Sequence, residues 1–461
     1  MNKNNWKEQA HQEIEIIFRV LLPEYGFAIR EEQISLCHFM LDTMLQNHIS
    51  LCDAGVGIGK TYAYLTACVM MQKFYPKGWH VSTQPVVIST SSIALQNALM
   101  KEYIPFLSHV FLENHILSEP IRAIVRKGKE RFVCDMRLFK RLTAVQGTQK
   151  NKGNMRALQS LQSHYDLDCV TGLSGFDRRR VCVPRVCEKD CWKRNTCRYH
   201  QYLREAKSKD IFIQVCNHNY LLAYTAHRST NLSPLLNDYG ALIVDEAHKL
   251  PEAAQQMYGY RISPDDLEEI CTLLTREKRL HASQRLREKF VFLDTLRRGP
   301  CTAEMQRTDF CLTPQCKSAL GETISLLHHT AKRLDPYLPR WIIHRLEETA
   351  KILTLFYTTD QQYVFYLEYG QQGIPTLCAT SRNLPAQLGQ ALWEKKIPAI
   401  LTSGTLAAGQ QFGRTKQVLG LSGKQKVDTF AAVSPFDYEK NCLLYLPDHL
   451  CQSRKGVECL S

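Results

Sequence analysis

The N-terminus, MNKNNWKEQAHQEIEIIF, has no basic-then-apolar pattern and no small-residue cleavage site, which excludes a secretory signal of the usual form. No apolar run approaches the roughly 20 residues a bilayer requires. The apolar stretch Thr61–Gln72, beside the first motif, is too short to span one. Internal repeats and low-complexity tracts are also missing, which excludes solenoid and fibrous designs. With 44% hydrophobic and 22% charged residues, the composition lacks the bias of a disordered chain. These absences predict a soluble, cytoplasmic, globular protein with no membrane partner. Its 461 residues are too many for one simple core and predict several domains. In a reducing compartment the 18 cysteines are not expected to form a disulfide framework, and metal ligation by a subset is the first expectation.

Charge is present but unevenly placed. The chain has 58 Lys+Arg and 45 Asp+Glu. Residues 121–210 alone hold 22 of the basic and 9 of the acidic groups, a net of +13, which leaves 36 of each sign elsewhere. The same stretch contains Cys134, Cys169, Cys182, Cys187, Cys191 and Cys197. A basic region of that size implies a polyanionic partner, most simply nucleic acid. The competing reading is a solvated basic surface.

Hydrophobic periodicity predicts an α/β chain. An amphipathic helix through Ile14, Ile17, Phe18 and Leu21 precedes a second helix over 31–45. Short apolar strands are expected at 49–52, 86–90, 241–244 and 399–401. Such strands, apolar on both faces and alternating with helices, suit a mainly parallel sheet covered on both sides. Two long insertions interrupt it. The first, 111–214, is the basic cysteine-rich segment; the second, 260–375, has helical spacing at Leu267, Ile270, Leu273 and Leu274 and a helix over 340–356. Residues 365–369 (FYLEY) predict a strand leading back to the sheet.

Ala54-Gly55-Val56-Gly57-Ile58-Gly59-Lys60-Thr61 follows a strand and opens a helix, the context of a phosphate-binding loop. Glycines let backbone N–H groups close on phosphate oxygens, and the helix N-terminus adds a favourable dipole. Lys60 is placed to reach the β- and γ-phosphates of ATP, and Thr61 to ligate Mg²⁺. Val244-Asp245-Glu246-Ala247-His248 supplies the complementary half. Asp245, ending a buried strand, would hold Mg²⁺, and Glu246 would orient and deprotonate the attacking water. His248 is expected to link the site to moving elements. Together the two motifs point to ATP hydrolysis.

On these motifs the sequence resembles the superfamily 2 helicases, and within them the DinG/XPD-like iron–sulfur DNA helicases. Asp245–His248 is similar to the DEAH box, and Ala54 stands where that group's loop usually has Ala. Arg30-x-x-Gln33 is similar to the adenine-recognising element, Ser89-Thr90 through Leu95-Gln96 to a motif that touches the DNA backbone, and Asn217-His218 with Leu221-Leu222 to a further motif of the group. Thr402-Ser403-Gly404-Thr405-Leu406 resembles the motif coupling hydrolysis to DNA movement, with Gly404 where the group often has Ala. Ser434-Pro435-Phe436 resembles the segment that leads to a second motor domain.

The run Lys127–Cys134 and the spacing Cys187-x₃-Cys191-x₅-Cys197 resemble the group's four cluster ligands. Spacing alone fits either a 4Fe–4S cluster or tetrahedral zinc; the resemblance favours the cluster. Cys182 is close enough to compete with Cys187. Aromatics among the charges (Phe132, Phe139, Phe176, Trp192, Tyr199, Tyr202) are candidates to stack on bases, and Arg131, Lys193, Arg194 and Arg198 are candidates to touch phosphates.

The resemblance implies a RecA-like P-loop NTPase domain in three parts (1–110, 215–259, 376–447), split by the cluster insertion (111–214) and a helical arch (260–375). Its implied partners are single-stranded DNA and DNA junctions, with translocation 5′→3′ and a role in repair or replication. Motifs expected of a second motor domain are not found after Phe436, and 448–461 no longer reads as strand and helix. The expectation is an N-terminal motor half, truncated or split, needing a second motor domain in trans to unwind DNA. The alternative is an ATP- and single-strand-binding module without unwinding.

Overall fold

The computed structural model describes residues 5–74, 84–146, 152–184, 187, 191–227, 235–296, 306–369, 373–409, 411–423, 426–432, 436 and 440. Ser434 and Pro435 of the Ser-Pro-Phe segment and the tail 448–461 lie outside them. The strands are, in chain order, β1 (Ile49–Ala54), β2 (Val86–Thr90), β3 (Ala123–Val125), β4 (Ile213–Asn217) and β5 (Ala241–Asp245). There follow β6 (Tyr260–Ile262), β7 (Gln306–Asp309), β8 (Tyr363–Tyr369), β9 (Pro375–Ser381), β10 (Ala399–Ser403) and β11 (Val427–Ala432).

Seven strands form one parallel sheet in the order β11-β1-β10-β5-β2-β4-β3. The period-2 alternation of side chains sends neighbours to opposite faces. Ile243 of β5, Ile88 of β2 and Ile400 of β10 enter one core, with the helices Asn5–Ile16, Glu31–Leu45 and Lys60–Phe74 packed on it. Val244, Val87 and Leu401 enter the other core, under the helices His218–His227 and Leu250–Tyr258. Both faces are therefore dry, which is why these strands read as continuous apolar runs. The α/β expectation holds. The edge strand β3 belongs to this sheet although it falls inside the span 111–214.

The described residues from 260 to 381 build a second body with its own core, including Leu267, Ile270, Leu274, Leu320, Leu346, Phe356 and Leu377, so it runs past the boundary expected at 375. Its helices Pro264–Arg276, Leu280–Phe290, Pro314–Leu334 and Arg340–Thr358 pack beside a sheet ordered β6-β9-β8-β7. Ser263 and Asp266 close the first of these helices with a reciprocal capping box. Residues 365–369 form a strand as expected, but that strand is not itself a member of the parallel sheet. It lies within β8, antiparallel to both β7 and β9. Only its C-terminal end is deeply buried; its antiparallel partners are β7, inside the insertion, and β9, which begins where the insertion is expected to end.

The cysteine-rich segment has two small cores. One gathers Val133, Leu138, Leu142, Leu158 and Val181; the other gathers Ile124, Phe132, Tyr202 and Ile211. Among the described residues no helix is long and apolar enough to cross a membrane.

Candidate functional site

β1, β10 and β5 are adjacent, so their C-terminal ends bring three loops to one place. After β1 the phosphate loop turns through Gly57 (φ +88°) and Gly59 (φ +89°), a backbone region that strains any residue with a Cβ. A Cβ would also lie 2.4 Å from the Phe436 ring at position 57 and 2.0 Å from the Gln33 amide at position 59. Arg30 donates from Nη1 to Gly57 O (2.7 Å), and Gln33 donates from Nε2 to Gly59 O (2.9 Å). The two residues read as an adenine-recognising element thus brace the loop from outside. Lys60, opening the helix Lys60–Phe74, donates from Nζ to Ala54 O at 2.9 Å and lies 4.0 Å from the Glu246 carboxylate. Thr61 is the next residue on that helix.

Asp245 ends β5 and is 5% exposed. Its carboxylate accepts from the Glu246 N–H (3.0 Å) and from Tyr64 Oη (3.4 Å). Burial, with the neighbouring Glu246 charge, pushes its pKa up to about 6. Glu246 has left-handed backbone (φ 54°, ψ 48°), sparsely populated by non-glycine residues and concentrated at functional turns. That turn aims its carboxylate at the phosphate-loop lysine. Ser403, ending β10, donates from Oγ to Glu246 Oε2 (3.1 Å) and is 2.6 Å from His248 Nδ1. His248 Nδ1 also lies 3.2 Å from Glu246 Oε2. The DEAH turn and the Thr402–Leu406 segment therefore share one hydroxyl.

Asp53 and Tyr64 carry no assigned role in the sequence reading, and Ser89 and His218 stand there only as members of two motifs, not as partners of the DEAH turn. Asp53, in β1, accepts from Leu406 N–H (3.3 Å) and Ala407 N–H (3.0 Å), fastening the segment after β10 to the root of the phosphate loop. Ser89 and His218 form a buried pair, Oγ to Nδ1 at 2.8 Å, and His218 Nε2 reaches Glu246 O at 3.4 Å. Desolvation lowers the His218 pKa to about 4, so the ring is neutral and can donate from Nε2 while accepting from Ser89. Tyr64 is a donor to Asp245. The long-range partners of these residues leave no local pattern. At Gly404 an added Cβ would make only ordinary contacts of 3.5 Å, with Ala54 O and Gly55 Cα, so alanine fits there.

In the basic segment, Cys134, Cys187, Cys191 and Cys197 wall one cavity of about 250 Å³ with Val183 and Tyr199. Cys182 is not part of that wall, and its Sγ points to Arg179 O at 3.5 Å. Cys134 immediately precedes the helix Asp135–Gln146 and Cys197 the helix Arg198–Glu205. Arg198 locks these two helix starts together: Nε donates to Asp135 Oδ1 (2.7 Å) and its own N–H to Asp135 Oδ2 (3.0 Å). Nη1 and Nη2 donate to the Gln162 and Leu161 carbonyls. Among the described residues no group of three or more His, Cys, Asp or Glu is set to hold a metal ion.

Arg198 is thus spent on internal pairing, and Arg131 pairs with Asp168 (3.2 Å), which also binds Lys127 and Arg178. Phe132 and Tyr202 are core residues with Tyr199 packed beside them. Phe139, Phe176 and Trp192 are exposed. Phe176 lies in a groove of about 730 Å³ lined by Arg137, Lys140, Arg141, Arg179 and Arg180, with Arg276 from the helical insertion. Arg141 and Arg180 sit 5.1 and 5.2 Å from its ring centre.

No protein-family profile matches the chain. Individual relatives do. The chain is 23% identical over 480 residues to the probable ATP-dependent helicase YpvA of Bacillus subtilis, covering 96% of this chain and 70% of that protein. It is 23% identical over 465 residues to the ATP-dependent DNA helicase YoaA of Escherichia coli, covering 93% and 68%. A shorter match, 23% over 264 residues, is to the 3′-5′ exonuclease DinG of Staphylococcus saprophyticus, covering 55% of this chain and 26% of that one. A solved XPD helicase aligns over 88% of this chain and 62% of its own, with 11% identity and a TM-score of 0.44.

Proposed function

We propose that this chain, a relative of the DinG/XPD-like superfamily 2 helicases, is an ATP hydrolase of a DNA helicase and couples turnover to movement along single-stranded DNA. The observation that carries the reading is the meeting of Lys60, Asp245, Glu246 and Ser403 at the ends of adjacent strands. The loop from Ala54 through Gly55, Gly57 and Gly59 would cradle phosphates with its N–H groups, and Lys60 would exchange its Ala54 carbonyl for phosphate oxygens. Thr61 and Asp245 would hold Mg²⁺, which neutralises charge on the transferring phosphate when bound. Glu246 would orient and deprotonate the water. Because Ser403 touches both Glu246 and His248, a change at the γ-phosphate side can pass to β10 and, through Asp53, to β1.

The basic groove around Phe176 would track the strand, with cations on the phosphates and the exposed ring against a base. Translocation 5′→3′, a preference for junctions and a role in repair or replication in the cytoplasm follow from the same resemblance. For the four cysteines a 4Fe–4S cluster is the reading we favour over zinc. One zinc needs all four sulfurs about 2.3 Å from a single ion. Four cysteines around one cavity of about 250 Å³ leave room for a body larger than a single ion, whose irons would be ligated separately, and the resemblance carries the choice. Cys187 rather than Cys182 is then the fourth ligand.

A second reading has its own support: among the described residues there is one parallel sheet, and transition-state arginines from a second motor domain commonly contribute about 10³–10⁵ in rate. On that reading the chain binds ATP and single strands but does not turn over without a second motor domain, joined to it or in trans. ATPase assays with and without single-stranded DNA separate the two. The hydrolase reading expects DNA-stimulated turnover that Lys60→Ala and Glu246→Gln abolish. Binding with background turnover, unaffected by either substitution, sinks it. Iron content and visible absorption of the purified protein, lost in Cys187→Ser and kept in Cys182→Ser, test the cluster assignment.

A further inference from the structure

We infer that Tyr64 is a positioning residue for the magnesium side of the nucleotide site: its hydroxyl, set between Thr61 and Asp245, fixes the Asp245 carboxylate in the orientation that receives the ion. The inference rests on the reading of Thr61 and Asp245 as the Mg²⁺ pair. It adds a third residue, one that acts through Asp245 and does not touch the ion.

Tyr64 stands three residues after Thr61 on the helix Lys60–Phe74, so the two share a face of that helix. It is 0% exposed, and its ring belongs to the core that holds Ile243 of β5 and Ile88 of β2. Phenylalanine would fill the same apolar space, so the oxygen needs a separate account. A buried phenol keeps a hydrogen-bond partner, and this one donates to Asp245 Oδ2 at 3.4 Å. The Thr61 hydroxyl lies near enough to act on the phenol oxygen as a donor. Burial, with the nearby Asp245 charge, pushes the Tyr64 pKa well above its usual value, so the hydroxyl remains a donor throughout the neutral range.

Asp245 Oδ1 accepts from the Glu246 N–H at 3.0 Å and Oδ2 accepts from Tyr64, one donor on each oxygen. With a donor on either side, the carboxylate cannot turn about its Cβ–Cγ bond without giving one up. In a site where Asp245 is only 5% exposed, an unmet acceptor is costly. The remaining lone pairs of both oxygens are left for a cation or its bound waters. Mg²⁺ demands near-ideal octahedral geometry, so it gains from ligands that need no reorientation. A phenol suits this task better than a lysine or an arginine, because it donates a hydrogen bond and brings no positive charge to oppose the ion. Thr61, giving its proton to the phenol oxygen, keeps its own lone pairs for the ion.

The test is binding of a fluorescent ATP analogue, measured first in EDTA and then as Mg²⁺ is added. Wild type is compared with Tyr64→Phe, which keeps the ring and removes the oxygen. The control is Tyr62→Phe, on the same helix, whose ring packs against Phe27 and Tyr103. The expected result for Tyr64→Phe is unchanged affinity in EDTA and a half-saturating Mg²⁺ concentration raised about 5-fold, the worth of one long hydrogen bond. Tyr62→Phe should match wild type in both conditions. Half-saturation of Tyr64→Phe equal to that of wild type overturns the inference and leaves the ATP reading standing. So does a Tyr64→Phe chain that fails to fold, or that loses affinity equally with and without Mg²⁺, since either gives the oxygen a structural role. Failure of wild type to bind the analogue, or binding that Mg²⁺ does not tighten, overturns the reading of the site and the inference with it.

Discussion

His218 is buried between Ser89 and the Glu246 carbonyl, and burial lowers its pKa from 6.5 to about 4. An unfolded chain takes up a proton on this ring below pH 6.5, while the folded chain does not until about pH 4. Its contribution to stability is therefore complete above pH 6.5 and is lost as pH falls toward 4, by roughly 3 kcal/mol in all. Urea melts at pH 7 and pH 4 should show wild type losing about that much relative to His218→Gln; a pH-independent difference would show that the ring is not buried neutral. Asp245 works with the opposite sign. Its pKa rises from 3.8 to about 6 because the charged form is desolvated and faces Glu246. The stabilising protonated form is present below about pH 4 and lost as pH rises through 6, at a cost on the order of 2–3 kcal/mol. Asp245→Asn should thus match wild type near pH 4 and exceed it in stability at pH 7.5 without nucleotide, while losing Mg²⁺-dependent turnover. A less stable variant at pH 7.5 would refute the account.

At the scale of elements, position is set by pairs of helix starts and strand ends. Arg198 joins the starts of Asp135–Gln146 and Arg198–Glu205, and so sets how Cys134 and Cys197 face the shared cavity. Arg198→Ala leaves Asp135 half-buried without its guanidinium and frees two helix ends. On the proposed cluster reading, bound iron per chain should fall by half or more, whereas Arg179→Ala, on the open groove, should leave it unchanged; equal iron in both variants would remove the positioning role. Much of this level is legible in the sequence where one element declares itself. β1, β2, β5 and β10 are buried on both faces and read as apolar runs, and the phosphate loop and DEAH turn follow directly from two of them. β3 is three residues long, and β11 alternates half-buried with exposed positions, so neither gives a run. β8 does give a pattern, but its antiparallel partners β7 and β9 decide which sheet it joins. Asp53 is invisible for a similar reason: its role lies in two N–H groups more than 350 residues away.

For the whole molecule, the net +13 is less informative than which cations are already neutralised. Lys127, Arg131 and Arg178 converge on Asp168, and Arg141 pairs with Asp177 at 2.7 Å. A good part of the basic excess in 121–210 therefore holds that segment together and has little charge to offer a ligand. Arg179 and Arg180 line the groove around Phe176, and among the described residues neither has a carboxylate within ion-pair distance. Phosphate binding releases counterions only at cations that were not already paired, each worth a slope of about 0.7 on single strands. Arg179→Ala/Arg180→Ala should consequently weaken binding of a short oligothymidylate and reduce the salt slope by roughly 1.4, with the melting temperature within a few degrees of wild type. Arg131→Ala, which removes a paired cation, should change the slope much less while lowering stability through the exposed imbalance at Asp168. If the two variants change the slope equally, sequence charge rather than unpaired charge governs the interaction, and the groove around Phe176 is not the strand's path.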